Sequence, residues 1–102
     1  VPARPVSEAT VERHLVEGIR ARGGVAEKTV SPGKRGFFDR VVVVAGRVFF
    51  VETKKPSRGR LTPHQKYRHD EFRAAGATVL VLHSVVEVES FLRRLDGAAP
   101  QD

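Results

Sequence analysis

Two hydrophobic periods alternate along this chain. Val11, Leu15 and Ile19 recur every fourth residue between Ser7 and Gly23-Gly24, which is one apolar stripe of a helix. Ser7 is placed to cap it, and Glu8 falls in the first turn near the positive end of the helix dipole. "VAEKTV" (25–30) predicts a short strand. "SPGKRG" (31–36) predicts a loop, broken by Pro32, Gly33 and Gly36. Phe38–Val44 and Val48–Lys54 read as two strands around a turn. The valines at 41–44 do not alternate with polar residues, which predicts a strand covered on both faces.

The pattern then returns to helix. "KPSRGR" (55–60) is a basic, turn-rich loop. Thr62 as N-cap, Pro63 at N1 and Gln65 at N3 open a helix that carries Tyr67, Phe72, Ala74 and Ala75 and ends at Gly76. "TVLVLH" (78–83) predicts another buried strand. Ser84 and Glu87 form a second capping-box pattern before Val85, Val88, Phe91, Leu92 and Leu95, and Gly97 is the expected stop. The order α-β-β-β-α-β-α predicts an α/β or α+β domain with a central mixed sheet and helices packed on it. Residues 1–6 are expected to be a flexible lead, 7–96 a single domain and 97–102 a tail. The 102 residues suffice for one modest core.

Composition narrows the chemistry. No cysteine is present, which excludes disulfides and thiolate metal sites. No apolar run approaches the ~20 residues of a membrane-spanning helix. No leader pattern is visible, so the expected location is the cytoplasm; with no Met in the chain, either the initiator was removed or the ends were trimmed. The net charge of +6 is uneven: residues 28–73 carry twelve basic and four acidic side chains, whereas 1–27 balance and 74–102 are net negative. That middle segment is the expected face for a polyanion; a solvated basic surface without a partner explains the charge equally well.

The acids in that basic stretch need a reason. In a hairpin over 38–54, a two-residue loop (Ala45-Gly46) and a four-residue loop give one register, in which Asp39 lies opposite Glu52; a three-residue loop would not. Opposed carboxylates repel. Glu52 and Lys54, two residues apart, share a face. A divalent cation would offset the repulsion, since Mg²⁺ takes carboxylate, water and phosphate oxygens. Lys54 could then hold the attacking water or stabilise charge on a phosphate. The bland reading is three ordinary polar strand ends.

With Asp39 and Glu52-Thr53-Lys54, the chain resembles the PD-(D/E)xK nuclease superfamily. "GFFDR" (36–40), "FVETKKP" (50–56), "GRLTPHQ" (59–65) and "GATVLVLHS" (76–84), with Glu12, Gly23-Gly24 and Lys28 before them, are similar to one branch of it, the virus-type replication–repair nuclease (VRR-NUC) family. The likeness spans about residues 7–95, and its compactness is that of stand-alone viral and bacterial members. Phe38 departs from the pattern, standing where the family usually has proline.

The resemblance implies a restriction-endonuclease-like core and Mg²⁺- or Mn²⁺-dependent phosphodiester hydrolysis. It also implies a homodimer that acts on branched DNA such as four-way (Holliday) junctions, in a bacterial or phage-infected cell. Asp39, Glu52 and the Thr53 carbonyl would hold the metal, and Lys54 would orient or activate water. Glu12 is implied as a metal-site acid, with Glu8 its rival by position. Gln65 is implied in the active site, in competition with its capping role. Lys28, Lys34, Arg35, Arg40, Lys55, Arg58, Arg60 and Lys66 are the expected DNA contacts. The free apolar positions for a dimer contact are expected on the first and last helices. His14, His64, His69 and His83 look scattered, and Tyr67 and the phenylalanines read as core. The alternative is a basic nucleic-acid-binding module without catalysis; an RNA-acting or host-interaction protein on the same fold is a further rival.

Overall fold

A computed structural model of the chain describes residues 7–29, 38–55 and 60–97. Its elements are α1 (Glu8–Ala21), β1 (Val25–Lys28), β2 (Arg40–Val44), β3 (Arg47–Thr53), α2 (Pro63–Ala74), β4 (Val79–Leu82) and α3 (Val85–Gly97). This is the predicted order, in a mixed sheet flanked by helices. The strands lie in sequence order, β1-β2-β3-β4. The first three are antiparallel neighbours, and β4 joins β3 in parallel after α2. A parallel pair requires a crossover, and α2 supplies it.

Local chemistry sets the ends of these elements. Ser7 Oγ accepts the Thr10 N–H at 3.2 Å and caps α1, a contact worth about 1 kcal/mol. At α2 the Thr62 and Gln65 side chains each accept the other's backbone N–H. At α3 the box is displaced. Ser84 Oγ accepts the Glu87 N–H, but the Glu87 carboxylate reaches the backbone N–H of His83, one residue before the cap. That helix also runs through Gly97 instead of stopping before it. The expected lead 1–6 and the tail after Gly97 lie outside the described residues.

One face of the sheet builds the core. Ala26, Val42, Val44, Phe49, Val51 and Leu82 meet Val11, Leu15 and Ile19 of α1 and Val88, Phe91, Leu92 and Leu95 of α3. Each of the larger side chains, fully buried, contributes about 1.5–3 kcal/mol. Gly24 allows α1 to enter β1 closely: a Cβ there would stand 2.7 Å from the Val43 carbonyl oxygen and 2.8 Å from Ile19 and Val44. The helices therefore use their apolar stripes internally, which leaves few of the free apolar positions expected on α1 and α3. Val86, 73% exposed, is outside the stripe.

The other face is only half covered. α2 packs near β4, and its Phe72 meets Phe50 of β3. At the hairpin end Val25, Val43 and Val48 are 48%, 43% and 51% exposed. They are cross-strand neighbours, Val25 opposite Val43 and Val43 opposite Val48. The valine run is thus buried on one face at Val42 and Val44, while on the other Val41 is half-buried and Val43 exposed, where α2 packs near β4 and not over β2. Tyr67 is also no core residue; it is 65% exposed on α2.

Candidate active site

The site begins with the hairpin turn. Val44 pairs with Arg47 across Ala45 and Gly46, which have φ of 52° and 73°. Two consecutive positive φ angles make the type I′ turn that suits strand twist. The two-residue loop thereby selects the register, and the ladder runs from Val44–Arg47 to Arg40–Val51. The next position in that line is Asp39 with Glu52. Alternation puts Glu52 with Phe50 on the α2 face, away from the main core.

At this end β2 bends away and leaves ladder groups to satisfy. The Asp39 carboxylate does so: Oδ2 accepts the Thr53 N–H at 2.9 Å and the Thr53 hydroxyl at 3.1 Å. The Asp39 carbonyl accepts the Thr29 N–H, and the Thr29 hydroxyl donates to the Phe38 carbonyl. Lys54 N–H donates to the Leu82 carbonyl at 2.9 Å, which extends β3 past its assigned end along β4. Asp39, Thr53 and Lys54 are thus placed by the backbone of three strands.

Glu52 is the anomalous group. It is 2% exposed. Phe38, Phe50 and Phe72 form an aromatic cluster with centroid separations of 5.0–5.3 Å on the same face. His69 of α2, 0% exposed, stacks on Phe38 at 4.6 Å. Burial pushes the Glu52 carboxyl up from an ordinary 4.5 to about 8, with the adjacent Asp39 carboxylate adding to the rise and Lys54 opposing it. Lys54 Nζ stands 3.7 Å from Glu52 Oε2. Glu52 Oε1 is buried with no hydrogen-bond partner among the described residues. The site thus places a buried carboxyl with an open oxygen beside a second carboxylate and a lysine.

Relatives carry the same architecture. The chain is 44% identical over 82 residues to "Putative nuclease p44" of Acyrthosiphon pisum secondary endosymbiont phage 1, a match spanning 79% of this chain and 87% of that protein. A solved "VRR_NUC domain" superposes with a TM-score of 0.79 at 31% identity, over 86% of this chain and 97% of that one. The chain belongs to the VRR-NUC family. A second solved structure, a "VRR_NUC domain protein", superposes with a TM-score of 0.74 over 97% of this chain and 95% of that one; at 17% identity it shares the fold. No family model matches the chain.

Other residues singled out by the VRR-NUC pattern are placed less simply. Glu12 Oε1 accepts Arg40 Nη2 at 2.6 Å and Nε at 3.1 Å, and Arg40 Nη1 donates to the Ala26 carbonyl. Arg40 lies on the α1 face of β2, so the expected metal-site acid and the expected phosphate contact are joined to each other there. It is Glu8 whose charge reaches Glu52, the weakest of the contributions that raise it. Gln65 has its side-chain oxygen in the α2 cap. Lys28, Lys55, Arg60 and Lys66 are exposed. Lys28 pairs with Arg40 in the ladder and therefore starts from the α1 face. Lys34, Arg35 and Arg58 lie outside the described residues.

His69 is the residue that sequence reasoning passed over. Its Nε2 stands 3.8 Å from Glu52 Oε1, and neither ring nitrogen has a hydrogen-bond partner among the described residues. Burial, then Arg73 and Lys54, lower its pKa. A signal for it existed: Gln65, His69 and Phe72 recur at i, i+4 and i+7, one face of α2. A polar residue on the apolar face of a helix otherwise poor in apolar residues was the clue.

Proposed function

We propose that this VRR-NUC chain is a divalent-metal-dependent, structure-specific DNA endonuclease acting on branched DNA such as Holliday junctions. The observation that carries the reading is Glu52: a buried carboxyl with an open oxygen, beside Asp39 and Lys54. Among the described residues no cluster of three or more His, Cys, Asp or Glu side chains is placed to share a metal. Two carboxylates nonetheless fit Mg²⁺ or Mn²⁺, which keep several waters and take phosphate oxygens. Asp39 and Glu52 would hold the ion, with the Thr53 carbonyl as a third oxygen. When bound, the ion supplies Lewis-acid stabilisation of charge on the scissile phosphate. Asp39 contributes a carboxylate already oriented by Thr53. Lys54, drawn toward Glu52, orients the attacking water or neutralises charge gained by the phosphate as the P–O bond to the leaving sugar breaks.

The test is a cleavage panel of linear, flapped, forked and four-way DNA with Mg²⁺, Mn²⁺ or chelator. Metal-dependent cutting of the four-way substrate in preference to linear duplex is expected. No cutting of any substrate with any divalent metal would leave the binding module. Symmetric cuts across a junction require two sites and one chain provides one, so a homodimer is part of the proposal. The apolar row Val25, Val43 and Val48 is available for such a contact. Light scattering that finds only monomer, free and on DNA, removes it.

Lys55, Arg60 and Lys66 flank the site in sequence, are exposed and suit phosphate contacts, as do Lys34, Arg35 and Arg58. Each phosphate neutralised adds about 0.9 to the slope of log affinity against log salt. Replacing Lys55, Arg60 and Lys66 together by Ala is expected to weaken binding to all sequences alike and to flatten that slope by about two to three. An unchanged slope in a salt titration would put the DNA elsewhere.

A further inference from the structure

Two buried polar groups without partners face each other across the site. Glu52 Oε1 and both ring nitrogens of His69 have no hydrogen-bond partner among the described residues. Leaving a buried donor or acceptor unpaired costs roughly 1–3 kcal/mol, and native interiors contain few. Here the unpaired atoms are complementary: a carboxyl oxygen that accepts, and an imidazole that can donate from Nε2. They are 3.8 Å apart, about 1 Å beyond an ordinary N–H···O distance. A small rotation of either side chain closes that gap.

The surroundings give the pair a direction. The ring is held parallel to Phe38, at 21°, and Phe38 is in turn met edge-on by Phe72. The helix that carries the ring is anchored at its start by the Thr62–Gln65 box. The carboxyl therefore has two different sides: Oε2 toward Lys54 and Oε1 toward His69. We propose that His69 is a positioning residue that donates its Nε2–H to Glu52 Oε1 and so turns the carboxylate to present Oε2 to the cation. The inference rests on the metal reading of the site. A group that hydrogen-bonds a metal-ligating carboxylate in this way typically changes metal affinity by 10–100-fold when it is lost.

The experiment is Mn²⁺ binding without DNA, followed by the electron paramagnetic resonance of free Mn²⁺, on wild type, His69→Leu and His69→Gln. Thermal unfolding of each protein without metal runs alongside. Leucine fills the space and removes the donor; glutamine restores an N–H donor at similar reach. His69→Leu is expected to bind Mn²⁺ roughly 10–100-fold more weakly while its metal-free melting temperature holds or rises. His69→Gln is expected to recover most of the affinity. If His69→Leu does not fold, His69→Phe, which keeps the stacking on Phe38, takes its place. Equal affinity in wild type and the apolar variant overturns the proposal alone, and so does a glutamine variant as weak as the apolar one. A wild type that binds no Mn²⁺ overturns the metal reading and this proposal with it.

Discussion

Glu52→Gln is expected to reduce single-turnover DNA cleavage by roughly two to three orders of magnitude, the loss seen when one fixed group serving a charged transition state is removed. DNA binding in Ca²⁺ should persist or tighten. Glutamine preserves shape, so packing around the site is undisturbed, but it takes one negative charge from the proposed metal site. Removing a charge that faces phosphate favours the polyanion. The substitution also relieves the opposition with Asp39, whose carboxylate helps to push Glu52 up, so metal-free stability should hold or improve. The measurement pairs single-turnover cleavage with a gel shift in Ca²⁺ for the two proteins. Cutting that survives the substitution removes Glu52 from the reaction. Binding lost together with cutting would make Glu52 a structural residue.

Metal-free wild type should lose stability as pH rises from about 5 to above 8. The Glu52 carboxyl titrates near 4.5 when exposed and near 8 in the fold. The folded protein therefore binds this proton more tightly than the unfolded chain. Its contribution is fully present below pH 4.5 and is lost as pH climbs through 8. Each pH unit between those two values is worth about 1.4 kcal/mol, so the loss amounts to several kcal/mol. That is a large part of the roughly 5–15 kcal/mol typical of a domain. Urea midpoints across about pH 5–9 test this. Glu52→Gln should flatten the curve relative to wild type, since the other titrating groups are common to both. Parallel curves would show that Glu52 does not carry the dependence. Adding Mg²⁺ or Mn²⁺ should reverse the decline in the wild type above about pH 7, because the ion binds the ionised carboxylate.

The contrast between these two experiments separates the roles of one residue. On the proposed reading, cleavage depends on what Glu52 holds when ionised. Stability depends on what it costs to be ionised where it is. The same burial serves both, since a carboxyl 2% exposed is costly to ionise alone and, once ionised, a strong partner for a cation.

Much of this was legible in the chain before folding. The α-β-β-β-α-β-α order followed from helical apolar spacing alternating with short apolar runs, with Ser7, Thr62 and Ser84 marking helix starts. The placement of Asp39 in line with Glu52 followed from strand alternation and an even-numbered loop, and the spacing of Glu52 from Lys54 put both on one face. These are local properties: period, cap and turn are decided by residues a few positions apart.

The remaining features arise between elements far apart in sequence. Val41–Val44 looked covered on both faces, but the extent of α2 decides that, and it leaves Val43 open. Glu12 and Arg40, 28 positions apart, are joined because α1 and β2 bring them together. His69 looked like one of four scattered histidines. The crossover that makes β4 parallel to β3 lays α2 over the sheet and aims that ring at Glu52. The order of residues was enough to specify which chemical groups could make a site and which strand ends would carry them. How deeply Glu52 is buried, and which neighbours act on it, depended on packing between helix and sheet, because desolvation and charge act through space and not along the chain.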